Sequence, residues 1–321
     1  MDSNLTRVQQ LENALFRGGS LTVRNSEYLQ EVRTLMEALL RMDSTGKDLT
    51  VATLEIKSKP VSAIVMAQEA GVAAGLEEFA FLFESHGISV RFEKKDGEII
   101  APGDTILRMK GDHGTLLSLE RSGLNLLQRM SGIATMTRCL QARVHDRCPS
   151  THVVATRKTL WGLLDKRAVH LGGGGTHRLG LGNAILIKNN HLSLIARREE
   201  EAAPLALERA WDSRQKAAFI EIEVRTEGAA LTAAGTFRKL QKESGERYPC
   251  LLMLDNLTPR EISLILDSLR REHFWDYALI EASGGVSEKN AEAYADTGVD
   301  AISIGALTHS VRALDLCLRI S

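Results

Sequence analysis

Two adjacent basic residues, Arg157 and Lys158, directly follow the strand-like run His152–Ala155 and its Thr156. Arginine holds a carboxylate or phosphate through two parallel hydrogen bonds, and each hydrogen bond to a charged group contributes roughly 1.5–3 kcal/mol. Four further basic residues join this pair as candidates: Arg121, His177, Arg178 and Lys188. The formal net charge is −1, so the cluster reflects placement and not composition. The sequence therefore predicts a local site for a small anion centred on Arg157 and Lys158.

Polar residues also follow the other strand-like runs of the second half. Six runs alternate with helical segments, which predicts a parallel sheet with helices outside it. The runs are His152–Ala155, Ala184–Ile187, Phe219–Val224, Cys250–Leu254, Tyr277–Ala282 and Ala301–Ile304, with Val169–Leu171 as a weaker seventh. The residues at or after their ends are Arg157, Lys158, Lys188, Glu223, Asp255, Ser283, Gly284, Gly285 and Gly305. Because active sites of α/β barrels lie at the carboxyl ends of the strands, we expect a ring of charge-binding groups there.

Two glutamates in the run Phe219–Val224 indicate a polar barrel interior. Alternate residues of a strand share a face, so Phe219, Glu221 and Glu223 point one way and the aliphatic residues the other. The aliphatic face packs under the helices, which places both carboxylates inside, where they need cationic partners or a metal. We expect lysine or arginine partners from neighbouring strands. We choose Glu223 as the candidate site residue because it is nearer the strand end. The alternative interpretation of Glu221 is a structural ion-pair network inside the barrel.

Glycines occur beside the basic residues and after the last two strands. Gly172–Gly175 precedes His177 and Arg178, and this pattern suggests close approach of the backbone to an anion, with a simple hinge as the alternative. The glycines after Ser283 and at Gly305 lie where barrels often hold a phosphate.

The elements that would support this site fall into two parts. Helices are predicted around Leu5–Leu15, ended by Gly18 and Gly19, and over Tyr28–Leu40. Three strand-like runs and a helix near residues 75–84 complete a small α+β part. A long helix follows over Leu116–Val144, with an interruption expected at Ser131 and Gly132. We place the domain boundary between residues 127 and 128, with an N-terminal domain over 1–127 and a barrel domain over 128–321.

Bulk properties exclude several classes. The near-neutral charge sets up no field for nucleic acid or a membrane surface. None of the four cysteines has metal or disulfide-framework spacing, which favours a reducing, cytoplasmic compartment. The polar start of the chain has no signal-peptide pattern, and no apolar run approaches the roughly 18 residues of a membrane helix.

Taken together, the motifs resemble the quinolinate phosphoribosyltransferase family. They run in that family's order from about residue 35 onward. The matching segments include Glu120–Gln128, Ser131–Thr135, Thr156–Thr159, Gly172–Leu181, Leu186–His191, Glu221–Glu223, Met253–Asn256, Glu281–Gly285 and Gly305–Ser310. Any one of these is weak evidence, whereas the ordered set is highly specific.

The resemblance implies a fold, an assembly and roles. The fold is an N-terminal α/β sandwich followed by an incomplete, seven-stranded α/β barrel. The assembly is a homodimer with a shared active site, with a hexamer as a further possibility, in which Arg121 reaches the neighbour's site. Quinolinate is surrounded by Arg157, His177, Arg178 and Lys188. Magnesium-bound phosphoribosyl pyrophosphate is handled by Lys158, Glu223, Asp255, Ser283, Gly284 and Gly305.

The chain departs from the family's pattern at a few positions. The segment after Thr159 reads Leu160–Leu164 where a proline-glycine motif is usual, and it is two residues short up to Ala168. Thr176 replaces the usual asparagine before His177, and Asn183 and Asn189 replace aspartates. About 33 N-terminal residues precede the usual start. No charged site residue is lost.

We therefore expect an enzyme that joins quinolinate to phosphoribosyl pyrophosphate and releases pyrophosphate and CO₂, with Mg²⁺ bound through the donor. A nicotinate phosphoribosyltransferase of the same fold is the rival enzyme, but a monoacid should need fewer than six basic groups. A non-catalytic binding protein is the rival from another class, and retention of both acids and all six bases argues against it.

Overall fold

The computed structural model describes residues 5–43, 49–54 and 59–320. Helices and strands alternate along the chain in the following order: α1 Arg7–Leu15, α2 Ser26–Asp43, α3 Leu49–Thr53, β1 Pro60–Ala67, β2 Gly71–Val72, α4 Leu76–Glu84, β3 Ser89–Phe92, β4 Ile99–Ile100, β5 Thr105–Asp112, α5 His113–Arg147, β6 His152–Val154, α6 Leu163–Leu171, β7 Ile185–Ile187, α7 Asn189–Leu192, α8 Glu199–Trp211, β8 Ile220–Val224, α9 Glu227–Ser244, β9 Cys250–Asp255, α10 Pro259–Arg271, β10 Leu279–Ser283, α11 Ala291–Ala295, β11 Ala301–Ser303, α12 Ala306–His309 and β12 Leu316–Ile320.

These elements form two compact units, each built from separate stretches of the chain. The barrel unit combines residues up to Arg17 with Leu140–Lys158 and Gly174–Ala306. The sandwich unit combines Gly18–Cys139 with Thr159–Gly173 and the residues from Leu307 onward. Among the described residues, no helix is long and apolar enough to cross a membrane.

The barrel unit contains a parallel sheet in the order β6-β11-β10-β9-β8-β7. The first and last strands are neighbours, which makes the sheet curl, and Gly175 adds a single parallel bridge to Val154 on the free side of β6. Its interior core combines Phe219, Leu251 and Leu279 with Leu11 and Leu15 of α1. The predicted α/β class with an incomplete barrel is confirmed.

The seventh strand expected at Val169–Leu171 is wrong, because these residues end α6. Gly162, with φ of 53°, precedes that helix, and Leu164, Ala168 and Val169 form its buried face. The isolated bridge at Gly175 is all that the seventh position contributes among the described residues.

The sandwich unit contains an antiparallel sheet in the order β12-β1-β5-β3 and the β2-β4 pair. The helix α5 is continuous, so the interruption expected at Ser131 and Gly132 is wrong. Gly132 serves packing instead, because a Cβ there would overlap the backbone carbonyl of Arg312. The Ser131 hydroxyl accepts a hydrogen bond from the backbone N–H of Ala74, so neither residue breaks the helix.

Candidate anion-binding active site

Two arginines whose charges act on each other lie in the segments that meet at β6. Arg157 is exposed just after the strand, and Arg178 is buried with 6% of its surface accessible. Burial, and then the charge of Arg157, lower the pKa of Arg178, while Glu221 acts in the opposite direction. This pair is therefore a place where an anion would relieve repulsion.

Lys158 is exposed beside Arg157, and its backbone N–H donates to the Thr156 hydroxyl at 3.1 Å. This local hydrogen bond turns the chain at the end of β6, which presents both basic side chains at the strand's carboxyl end.

His177 lies deeper, with 5% of its surface accessible. Its φ is 53°, a left-handed conformation that a non-glycine residue adopts only when its surroundings enforce it. The backbone N–H of Arg178 donates to Nδ1 at 2.8 Å, so Nε2 carries the ring proton. Nε2 lies 3.0 Å from a carboxylate oxygen of Glu221 and 3.3 Å from one of Glu281.

The three side chains His177, Glu221 and Glu281 form what we call the interior triad. Burial alone lowers the pKa of His177, but Glu221 and Glu281 outweigh it and raise the pKa to about 9. Burial and the nearby Glu281 raise the pKa of Glu221 to about 7. Both directions mean that the triad retains an additional proton at neutral pH.

The site of that proton follows from the hydrogen bonds. A raised pKa of His177 would place it on Nδ1, whereas the Arg178 N–H already occupies that nitrogen. The additional proton therefore belongs to Glu221. The ligand atoms of the triad lie within 4.8 Å of one another, a spacing that would also suit a metal ion. A retained proton reduces the negative charge buried in the triad.

Two carboxylates at adjacent strand ends are closer to solvent. A carboxylate oxygen of Glu223 lies 3.3 Å from the ammonium nitrogen of Lys188, at the end of β7. Lys188 is thus the lysine partner that was expected from a neighbouring strand. Asp255 accepts a hydrogen bond from the Asn256 side chain at 3.0 Å and lies 3.8 Å from Arg225. These oxygens are hard ligands of the kind that Mg²⁺ prefers. Each already has a cationic neighbour, which fits a metal held mainly by a substrate rather than by the protein alone.

At the ends of β10 and β11, the groups available to a ligand are mainly backbone groups. Gly284 and Gly285 have φ of 80° and 67°, and a Cβ on Gly284 would lie 2.5 Å from the Asn256 side chain. The Ser303 hydroxyl donates to the Ser283 hydroxyl at 2.9 Å. Left-handed glycines turn consecutive N–H groups to one side, a geometry that binds phosphate. Gly305 follows β11 at the same end of the sheet.

Of the predicted site residues, all but Arg121 belong to the barrel unit. Most lie at or just after the carboxyl ends of its strands, whereas His177 and Arg178 follow the isolated bridge at Gly175. Arg121 is exposed on α5, in the sandwich unit. A lysine or arginine partner was expected for Glu221: the charge of Arg178 acts on it, and His177 and the second glutamate Glu281 face it as well. The sequence reasoning missed Glu281 as a site residue. The strand alternation that placed Glu221 inside also applies to Leu279, Glu281 and Ser283, so the signal was present.

The shortened segment after Thr159 is ordered around Asp165. Arg129 donates two hydrogen bonds of 2.8 Å to this buried carboxylate. The Thr159 hydroxyl and the backbone N–H of Trp161 also donate to it. The segment thus has a defined structure within the sandwich unit despite its departure from the family's pattern.

The parallel sheet and the groups at its carboxyl ends define an α/β-barrel protein with a cationic, anion-binding site. A family model described as the C-terminal domain of quinolinate phosphoribosyl transferase matches residues 133–319, and the N-terminal domain of the same family matches residues 48–131. The chain belongs to the quinolinate phosphoribosyltransferase family.

Similar proteins agree with this assignment. A probable nicotinate-nucleotide pyrophosphorylase [carboxylating] of Methanothermobacter thermautotrophicus is 35% identical, over 89% of this chain and 98% of the relative. A protein of the same description from Archaeoglobus fulgidus is 37% identical, over 83% of this chain and 96% of the relative. The solved nicotinate-nucleotide pyrophosphorylase of Francisella tularensis superimposes with a TM-score of 0.76 at 26% identity, covering 91% of this chain and 96% of that one.

Proposed function

We propose that this protein is a carboxylating nicotinate-nucleotide pyrophosphorylase, which converts quinolinate and phosphoribosyl pyrophosphate to nicotinate mononucleotide, pyrophosphate and CO₂ in NAD biosynthesis. The single observation that best supports it is the pair formed by Arg157, which directly follows β6, and the buried Arg178, whose charges act on each other. Two guanidinium groups there match two neighbouring carboxylates. Family membership and the relatives' names supply the reaction class.

The reaction needs no nucleophile from the protein. The C1–O bond to pyrophosphate breaks, and the quinolinate nitrogen forms a new bond to that ribose carbon. The resulting pyridinium withdraws electrons, so the adjacent carboxylate leaves as CO₂, and its bonding pair stays on the ring carbon, which takes a proton. Arg157 and Arg178 hold the dianion, with Lys188 at the neighbouring strand end. His177 lies beneath, in the interior triad, and its backbone and ring position Arg178.

The donor is assigned to other groups of the same ring of strand ends. Lys158 neutralises pyrophosphate, and Glu223 and Asp255 accept the ribose hydroxyls. The N–H groups after Ser283 and at Gly305 bind the 5′-phosphate. Preorganised charges of this kind stabilise a transition state in which charge moves to the leaving group. Glu223 and Asp255 would hold Mg²⁺ together with the bound donor, and the ion would supply Lewis-acid stabilisation of the leaving group.

We further propose a homodimer with a shared active site, in which Arg121 of one protomer completes the site of its partner. The exposure of Arg121 on α5 supports this, because a solvent-facing arginine is available to another chain. We also propose a cytoplasmic location, supported by the four cysteines, all of which are free thiols.

The decisive experiment is a two-substrate assay. Purified protein is given phosphoribosyl pyrophosphate and Mg²⁺ with either quinolinate or nicotinate, and product formation and CO₂ release are measured. We expect turnover with quinolinate and little with nicotinate, and activity that disappears with EDTA and returns with Mg²⁺. Faster turnover of nicotinate would overturn the proposal in favour of a nicotinate phosphoribosyltransferase. Tight binding of quinolinate without CO₂ release would indicate a binding protein.

A further inference from the structure

The segment that contains His177 and Arg178 has little support from the sheet. Gly175 is bridged to β6, with its N–H donating to Val153 and its carbonyl accepting from Ala155. In the described chain this segment has no pairing with β7, which is the neighbour that a complete barrel would provide. Yet His177 holds a left-handed backbone conformation that requires enforcement.

The carboxyl end of α1 supplies the missing contacts. The backbone N–H of His177 donates to the Leu15 carbonyl at 2.9 Å. The Thr176 hydroxyl is 3.1 Å from the same carbonyl and accepts a hydrogen bond of 3.0 Å from the backbone N–H of Arg17. Thr176 is fully buried, so these hydrogen bonds are formed away from competing water.

The helix α1 is itself firmly attached to the barrel. Leu11 and Leu15 lie in the core between the strands. At its other end the Arg7 guanidinium donates to both oxygens of Asp300 at 2.5 and 2.6 Å and lies 3.9 Å above the Trp275 ring. A helix attached at both ends can impose a backbone conformation on the segment that it contacts.

We propose that α1 is a built-in support for the substrate site and that Thr176 is a positioning residue for His177 and Arg178. The contact replaces the strand pairing that the open barrel lacks. It keeps the imidazole on Glu221 and Glu281, and it keeps Arg178 beside Arg157. The helix lies outside both stretches matched by the family models. The prediction for quinolinate affinity rests on the proposed function, whereas the prediction for the backbone does not.

The test compares three substitutions in the full-length protein. Thr176→Val removes the hydroxyl and keeps the shape, and Thr176→Ser keeps the hydroxyl. Thr151→Val is the matched control, because Thr151 is equally buried and its hydroxyl also donates to a backbone carbonyl, that of Val299, at the amino end of β6. Hydrogen–deuterium exchange by mass spectrometry follows the peptide 174–180 without substrate. Calorimetry and steady-state kinetics follow quinolinate and phosphoribosyl pyrophosphate.

Thr176→Val should speed exchange in the peptide 174–180 and raise the Kd and KM for quinolinate about threefold to tenfold, the range of one or two hydrogen bonds. The KM for phosphoribosyl pyrophosphate should stay within twofold, and Thr176→Ser should restore quinolinate binding. Thr151→Val should lower stability to a similar degree without either change at the site. Unchanged exchange in Thr176→Val, or equal loss of quinolinate binding in Thr151→Val, would overturn the proposal.

A second variant covers the case in which Thr176→Val does not fold. Arg7→Gln loosens the other end of α1 and should speed exchange in the peptide 174–180 in the same direction, whereas no change there would refute the support. If the wild-type protein does not turn over quinolinate, the proposed function fails, and the exchange measurements still decide whether α1 supports this segment.

Discussion

Replacing Glu221 by glutamine should flatten the dependence of stability on pH. Glu221 is fully buried, lies 3.0 Å from the His177 ring and has a pKa raised from 4.5 to about 7. The folded protein therefore binds a proton more tightly than the unfolded chain does. The resulting stabilisation is complete below pH 4.5 and is lost as pH rises through about 7.

The size of the effect follows from the shift. One pKa unit corresponds to about 1.4 kcal/mol, so a shift of this size makes the free energy of unfolding fall by roughly 3 kcal/mol between pH 4.5 and 8. In Glu221→Gln this part of the slope is absent, and the pKa of His177 loses the largest influence that raises it. The two free energies of unfolding should therefore converge or cross as pH rises.

Urea unfolding monitored by tryptophan fluorescence at pH 5, 6, 7 and 8, at constant ionic strength, measures both curves. Glu288→Gln, on an exposed glutamate of the same unit, is the matched control and should keep the wild-type slope. Parallel curves for the wild-type protein and Glu221→Gln would refute the retained proton. Metal analysis of the purified protein adds a check, because a stoichiometric metal in the triad would replace that proton.

Three further predictions concern the ring of strand ends. Glu223→Gln should lower kcat about 100-fold or more, because one preorganised charge is lost, and should leave the Kd for quinolinate unchanged. If calorimetry shows that quinolinate affinity falls by the same factor, Glu223 binds quinolinate and not the donor. Gly284→Ala should lower the free energy of unfolding by roughly 2–5 kcal/mol, because both the positive φ and the lack of space oppose a Cβ. Gly285→Ala has only the penalty for the positive φ, about 1–2 kcal/mol, so equal urea midpoints for the two variants would contradict this. Mixing inactive Arg121→Ala with inactive Arg157→Ala should restore part of the activity through hybrid dimers, and no recovery despite proven subunit exchange would rule out a shared site.

Much of the barrel could be predicted because two separate sequence patterns mark its strands. Runs such as Cys250–Leu254 are continuously apolar, and each is followed by a polar or glycine residue. Strand alternation then placed Glu221 inside the barrel, where the structure buries it completely. The spacing of the apolar residues and the polar residue after each run were therefore enough to predict strands whose side chains are buried.

The failures have a different cause. Val169–Leu171 looked like a short strand, but a short apolar run does not distinguish a strand from one face of a helix. The glycine at 132 looked like a helix break, whereas it allows close approach of a distant backbone segment. The contact between α1 and Thr176 joins residues about 160 positions apart, and no local pattern encodes such a pairing. Long-range packing decides all three cases.

The attachment of α1 to the barrel also determines when this helix can pack during synthesis of the chain. Arg7 and Asp300 are 293 positions apart, and both are needed to complete one end of the barrel. On the ribosome α1 is among the first segments to emerge, yet its binding surface is finished only when β11 has been made. Contacts of such long sequence separation form late and slow folding. An apolar helix face therefore stays exposed for almost the whole of translation, and a fragment that ends before β11 would lack its closing strand.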